Sequence, residues 1–149
     1  MNLPQNHKFK WIKNFFNIRI KTNGLQLYEF TNQIFNWIKL NHFKNGILNI
    51  SILHTSASLI VQENADSDVK TDLIKYFDKL VPMNNDLYIH TTEGKDDKPA
   101  HIKSTLTNNQ ISLSVKESKL LLGTWQGIFL FEHRTSPQNR TIVLHYLGN

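Results

Sequence analysis

The sequence contains no cysteine, only three alanines and only three arginines. The missing cysteine removes disulfides, thiolate catalysis and every zinc or iron–sulfur site built on sulfur. It leaves histidine, carboxylate, hydroxyl and lysine or arginine as the reactive groups. No apolar stretch approaches the ~20 residues of a membrane span, so no membrane partner is expected. The first 13 residues carry neither a long apolar core nor a small-residue cleavage site, so no secretory signal is expected and a cytoplasmic location is. No Gly-x-x-x-x-Gly-Lys loop, Gly-x-Gly-x-x-Gly turn or Gly-x-Ser-x-Gly elbow occurs. What is present is 149 residues of which 40% are hydrophobic. That is one domain's worth of chain and too apolar for disorder.

A net charge of +5 invites a nucleic-acid reading. Its distribution argues otherwise. Residues 1–50 hold seven Lys and Arg against one acid, and residues 51–149 hold ten against eleven. The excess therefore sits away from the distinctive motifs, and no basic run interleaved with aromatics offers a stacking surface. Lysine and asparagine filling solvated positions account for the charge, and no nucleic-acid partner is expected.

Periodicity and turn signals predict an α+β fold: a single domain, 1–149, of mostly antiparallel, sandwich-like sheets with two main helices packed on them. Residues 1–14 read as a basic extension. Phe15–Lys21 alternates as a strand, Thr31 is placed to cap a helix over Asn32–Leu40, and Ile47–His54 reads as a strand. Asp66 or Ser67 is placed to cap a helix over Asp68–Leu80 with an apolar stripe of Val69, Leu73, Ile74 and Phe77. Leu87–His90 reads as a short strand, Thr91–Lys98 as a polar loop, and Pro99 as the first turn of a short helix capped by Asp97. Strands are expected over Gln110–Lys116, Leu120–Thr124, Gly127–His133 and Thr141–Leu147.

Four histidines fall near expected strand ends or in the polar loop: His54, His90, His101 and His133. Imidazole and carboxylate are the metal ligands left without cysteine, and His90, Glu93, Asp97, His101 and His133 supply both. Such a set suits a divalent ion, Zn²⁺, Mn²⁺ or Mg²⁺. The spacing Asp97–His101 also lets the carboxylate orient the imidazole on a helix. The alternative is a polar loop in which Asp97 only caps. His54, Ser56, Glu63, Asn64 and Asp66 form a second set, placed to do catalytic work or to hold an oxyanion near a helix start, with turn and capping chemistry as the alternative. Thr55 is among hydroxyls able to hold phosphate, Trp125 reads as core or interface with a ligand stack as the alternative, Gln126 as an amide donor to ligand or backbone, and Arg134 as a fork for phosphate. Arg134 is equally placed to pair with Glu132.

These motifs resemble the YjbQ family, also called UPF0047. The pattern reads His-Thr-Ser-Ala-Ser-Leu at 54–59, Glu-Asn-Ala-Asp at 63–66 and Leu-Val-Pro at 80–82. It continues as Asp-Asp-Lys-Pro-Ala-His-Ile-Lys at 96–103, Leu-Gly-Thr-Trp-Gln-Gly-Ile at 122–128 and Glu-His-Arg at 132–134. Glu117-Ser118 and Asn108-Asn109 stand where the family has glycine-containing turns, and the loop at 91–95 is shorter. The resemblance implies a compact α+β domain forming a homotrimer with a polar site near subunit boundaries. It also implies a weak, secondary thiamine-phosphate synthase activity that joins a hydroxymethylpyrimidine pyrophosphate to a thiazole phosphate. In that reading Glu93, Asp96 or Asp97 recruits the ion, Lys103 or Arg134 meets the phosphate and Trp125 faces the pyrimidine. The alternative is a trimer that binds a metal or phosphorylated metabolite without turnover.

Overall fold

A computed structural model describes residues 10–149. Its elements are β1 (Ile12–Asn23), β2 (Gln26–Glu29), α1 (Thr31–Leu40), β3 (Gly46–Ile52), β4 (Ala57–Glu63), α2 (Ser67–Leu80), α3 (Asp97–Leu106), β5 (Gln110–Lys116), β6 (Lys119–Leu120), β7 (Gln126–Glu132) and β8 (Pro137–Gly148). All pairings are antiparallel. Five strands form one sheet in the order β1-β8-β3-β5-β6, and three form a second in the order β2-β7-β4.

Side-chain alternation assigns the layers. Along β8, Ile142, Leu144 and Tyr146 point inward, as do Leu48 and Ile50 of β3, and they meet Leu59, Ile128 and Leu130 of the second sheet and Ile34, Trp37 and Ile38 of α1. The other face of the second sheet carries Leu27, Phe129 and Phe131, over which α2 lays Leu73, Ile74 and Phe77. β7 is thus covered on both sides, which is why Gly127–Glu132 is buried throughout and reads as an apolar run without alternation. Among the described residues no helix is long and apolar enough to cross a membrane.

The α+β class stands, with corrections of detail. The third helix is as long as the first, ten residues each; it buries Asp97, Lys103 and Ser104 rather than an apolar stripe, so periodicity undersold it. Leu87–His90 is not a strand: a 3-10 turn over Asn85–Leu87 leads into irregular chain. Thr31 is the first helical residue and no cap; its hydroxyl donates to Glu29 Oε1 and accepts from the Ile128 N–H. Asp66 does cap α2, accepting from the Asp68 N–H at 2.8 Å. β2 and β4 are strands beyond those expected, and the strand expected over Leu120–Thr124 ends at Leu120. Of the expected extension 1–14, residues 12–14 belong to β1 and residues 1–9 lie outside the described residues.

Candidate functional site

Two neighbouring segments of chain meet at one end of β4. The first turn of α3 supplies Asp97, and one helical turn later, on the same face, His101. The irregular chain after the 3-10 turn supplies His90. Its Nε2 lies 3.0 Å from Asp97 Oδ2, and His101 Nε2 lies 3.2 Å from the same oxygen. The ligand atoms of all three residues fall within 4.8 Å of one another.

The second-layer contacts fix how these atoms face. Asp97 is buried at 2% side-chain exposure, and its Oδ1 accepts from Arg134 Nη1 at 2.6 Å. Arg134 Nε donates to Asp96 Oδ2 and Nη2 to the Glu93 carbonyl. Gly94, at φ +107°, turns the chain so that this carbonyl reaches the guanidinium. Asp96 also accepts from the N–H and hydroxyl of Thr135. Burial pushes the Asp96 carboxyl up, but the Thr135 N–H, Arg134 and the Thr135 hydroxyl together outweigh it and hold it below the usual range.

The tautomer of His101 follows from its other nitrogen. Nδ1 sits 2.9 Å from the Thr55 carbonyl, which only accepts, so Nδ1 carries the proton and the neutral ring turns an Nε2 lone pair toward a carboxylate oxygen. Two acceptors pointed at each other at 3.2 Å require a positive charge between or upon them. Ligands about 2.0–2.1 Å from a tetrahedral zinc ion stand roughly 3.3 Å apart, close to the separations here. The donor set therefore fits one divalent cation with an open coordination position.

Other expected members are placed elsewhere. Glu93 contributes its backbone carbonyl, and its side chain is outside the trio. His133, expected as a ligand, is buried at 1% exposure and outside the trio; its Nε2 bonds Ser58 Oγ at 2.8 Å. Burial, then the charges of Lys103 and Arg140, push its pKa down to about 3. Arg134, expected on phosphate, holds Asp96 and Asp97 instead. Lys103 is buried and paired with Asp78 of α2. Ser56 Oγ accepts from Arg140 at 3.0 Å, which gives it a guanidinium and no base.

β4 separates the second expected set. Its seven residues run from Ala57 to Glu63, about 20 Å at ~3.3 Å per residue. His54, Thr55 and Ser56 precede it at the trio's end. Glu63 and Asn64 lie at the far end beside Trp125 and Gln126, where the Asn64 N–H donates to the Trp125 carbonyl. Asp66 caps α2 there. So Glu63, Asn64, Asp66, Trp125 and Gln126 do not share the trio's pocket within one chain.

Beside the trio opens a cleft of about 380 Å³ lined by His54, Thr55, His101, Ser104, Thr105, Thr107 and Asn109. Sequence reasoning found the first three and missed the others. Ser104, Thr105 and Thr107 lie on or just after a helix, where hydroxyls ordinarily read as solvated surface. Asp78, which holds Lys103, had no local signal either.

Residues 16–149 match the family model described as "UPF0047 protein YjbQ-like". A UPF0047 protein of Synechocystis sp. is 46% identical over 129 residues, covering 87% of this chain and 88% of that protein. The UPF0047 protein YjbQ of Escherichia coli O157:H7 is 37% identical, covering 93% and 99%. Among solved structures, a YbjQ-like protein of unknown function from Sulfolobus solfataricus superposes with a TM-score of 0.86 at 25% identity over 94% of this chain and 100% of that one. A YjbQ/UPF0047 protein from Clostridium acetobutylicum does so with 0.80 at 32% identity, over 88% and 98%.

Proposed function

Because this chain belongs to the YjbQ-like UPF0047 family, we propose that it is a metal-assisted enzyme acting on a phosphorylated small molecule, with the joining of a pyrimidine pyrophosphate to a thiazole phosphate as the reaction to test first. The observation that carries this reading is the clustering of the possible ligand atoms of His90, Asp97 and His101 within 4.8 Å of one another. A divalent cation held there, Zn²⁺ first and Mn²⁺ or Mg²⁺ after it, would supply charge against a departing pyrophosphate. Arg134 fixes the Asp97 carboxylate, and the Thr55 carbonyl fixes the His101 ring.

Lys103 and Arg134, the two cationic side chains expected on phosphate, are both paired within the chain. Exposed aliphatics also flank the site in sequence: Leu53 beside His54, Ile89 beside His90 at 103% exposure, and Leu106 between Thr105 and Thr107. Both observations support a homotrimer in which a neighbouring copy covers the site. Sedimentation of the purified protein tests this, and a monomer at micromolar concentration removes it.

Elemental analysis and zinc titration test the metal. His101→Ala is expected to weaken zinc binding roughly 100-fold or more while leaving the melting temperature within a few degrees. An unchanged affinity would show that the trio is not the ligand set. Incubation of the zinc-loaded protein with the two thiamine precursors is expected to release pyrophosphate in wild type and not in His101→Ala. Zinc binding without turnover would instead favour a metal- or phosphometabolite-binding trimer.

A further inference from the structure

We infer that the cleft beside His101 is a subsite for an uncharged ligand group that carries a carbonyl acceptor next to an N–H donor, an amide- or lactam-type ring edge, and that His54 reads it through a fixed Nδ1–H. It goes beyond the metal reading above, because neither thiamine precursor carries a carbonyl beside an N–H.

The donor and acceptor pattern of the walls is set by bonds made elsewhere. The backbone N–H of Thr141, in the central strand β8, donates to His54 Nε2 at 2.9 Å. A nitrogen that accepts carries no proton, so the neutral ring holds its proton on Nδ1. Nδ1 has no protein partner among the described residues and is not sealed from solvent, and His54 lines the cleft. Burial, then the Arg140 guanidinium, lower the His54 pKa against an opposing pull from Glu132, which keeps the ring neutral near pH 7.

Two other lining groups have the reverse polarity. The Ser104 hydroxyl donates to the Ala57 carbonyl at 2.9 Å, and the Thr105 hydroxyl donates to the His101 carbonyl at 2.9 Å. Each hydroxyl has one hydrogen, so each oxygen offers only lone pairs to a ligand. No lysine, arginine or carboxylate side chain lines the cleft. A phosphate placed here would meet the His54 N–H and neutral hydroxyl and amide groups, but no cation to balance its charge. A lactam edge satisfies both kinds of group, its carbonyl accepting from His54 and its N–H donating to Ser104 or Thr105. The volume of about 380 Å³ accommodates one small ring.

The test uses the full chain labelled with ¹⁵N, zinc-free and zinc-loaded, with uracil as the lactam probe and inorganic phosphate as the anionic one. The His54 ring is expected to show its proton on Nδ1 at pH 7. Uracil is expected to shift the His54 and Thr105 signals saturably, and phosphate to leave them in place. His54→Gln, whose amide reaches only the position of Nε2, is expected to weaken uracil binding about tenfold, the loss of one good hydrogen bond. His54→Asn, whose amide nitrogen takes the place of Nδ1, is expected to retain it. A proton on Nε2, displacement of uracil by phosphate, or unchanged binding in His54→Gln would each overturn the proposal. The wild-type tautomer decides it even where a variant fails to fold. Loss of the metal reading would appear as absent zinc binding, which these signals do not measure.

Discussion

Replacing Glu132 by alanine is expected to destabilise the domain by about 3–5 kcal/mol, the loss seen when one member of a buried ion pair is removed. Glu132 ends β7 with no solvent exposure. Its Oε1 accepts from the N–H groups of His133 and Arg134, both at 3.0 Å, and from Arg140 Nη2 at 2.5 Å. Its Oε2 accepts from Arg140 Nε at 2.7 Å and from the Thr22 hydroxyl at 2.8 Å. The carboxylate thereby ties the end of the second sheet to β1 and β8 of the first. Alanine leaves a guanidinium at 4% exposure without its counter-charge and two backbone N–H groups without an acceptor. Against a typical stability of about 5–15 kcal/mol, that loss brings the domain near its unfolding threshold. Urea denaturation of the variant checks it, and a loss below about 1 kcal/mol would contradict the role given to this carboxylate. Glu132→Gln keeps the shape and one acceptor and is expected to fall between.

The second large effect is an acid lability seated at His133. Its folded pKa is about 3 against an ordinary value of 6.5. Below pH 6.5 the unfolded chain takes up a proton that the folded chain refuses. Stability is therefore whole above pH 6.5 and drains as pH falls toward 3. At about 1.4 kcal/mol per pH unit, the stretch from 6.5 to 4.5 removes about 3 kcal/mol. His133→Gln cannot take up that proton, and its amide can still meet Ser58 Oγ. The variant is expected to lose about 3 kcal/mol less than wild type between pH 7.5 and 4.5, whatever its stability at neutral pH. Asp96, whose carboxyl is also held low, adds to the acid loss in both proteins, so the difference isolates the imidazole. Parallel pH–stability curves would remove the buried, neutral His133 from the account.

The sequence made legible what short-range chemistry governs. Asp66 as a cap, the apolar stripe of α2 and the glycine-free turn at Glu117-Ser118, with φ of 51° and 62°, all follow from neighbours within a few residues. β4 escaped because Thr55-Ser56-Ala57-Ser58 reads as a hydroxyl-rich loop, whereas Ser58 is a buried strand residue whose hydroxyl bonds His133. His90, Asp97 and His101 were picked out by type and loop position, and they do meet. Arg134 and Lys103 were misassigned for a single reason. A lone basic residue shows no sign in sequence of the carboxylate that tertiary contact will bring to it, and here Asp96, Asp97 and Asp78 arrive from 25 to 38 positions away. The separation of Glu63 and Trp125 from the trio is likewise a property of strand length and register, which spacing along the chain does not encode.

β8 lies between β1 and β3 in the larger sheet, and its pairing with β1 runs from Ile12↔Gly148 to Asn23↔Pro137. During synthesis, β1 and β3 leave the ribosome with a gap where their common neighbour belongs. Until Pro137–Gly148 has been made, neither can complete its hydrogen bonding, and their apolar faces await a lid. Closure across so much intervening chain is entropically slow. A polypeptide truncated before Pro137 should accumulate with two open strand borders and become a substrate for chaperones and proteases.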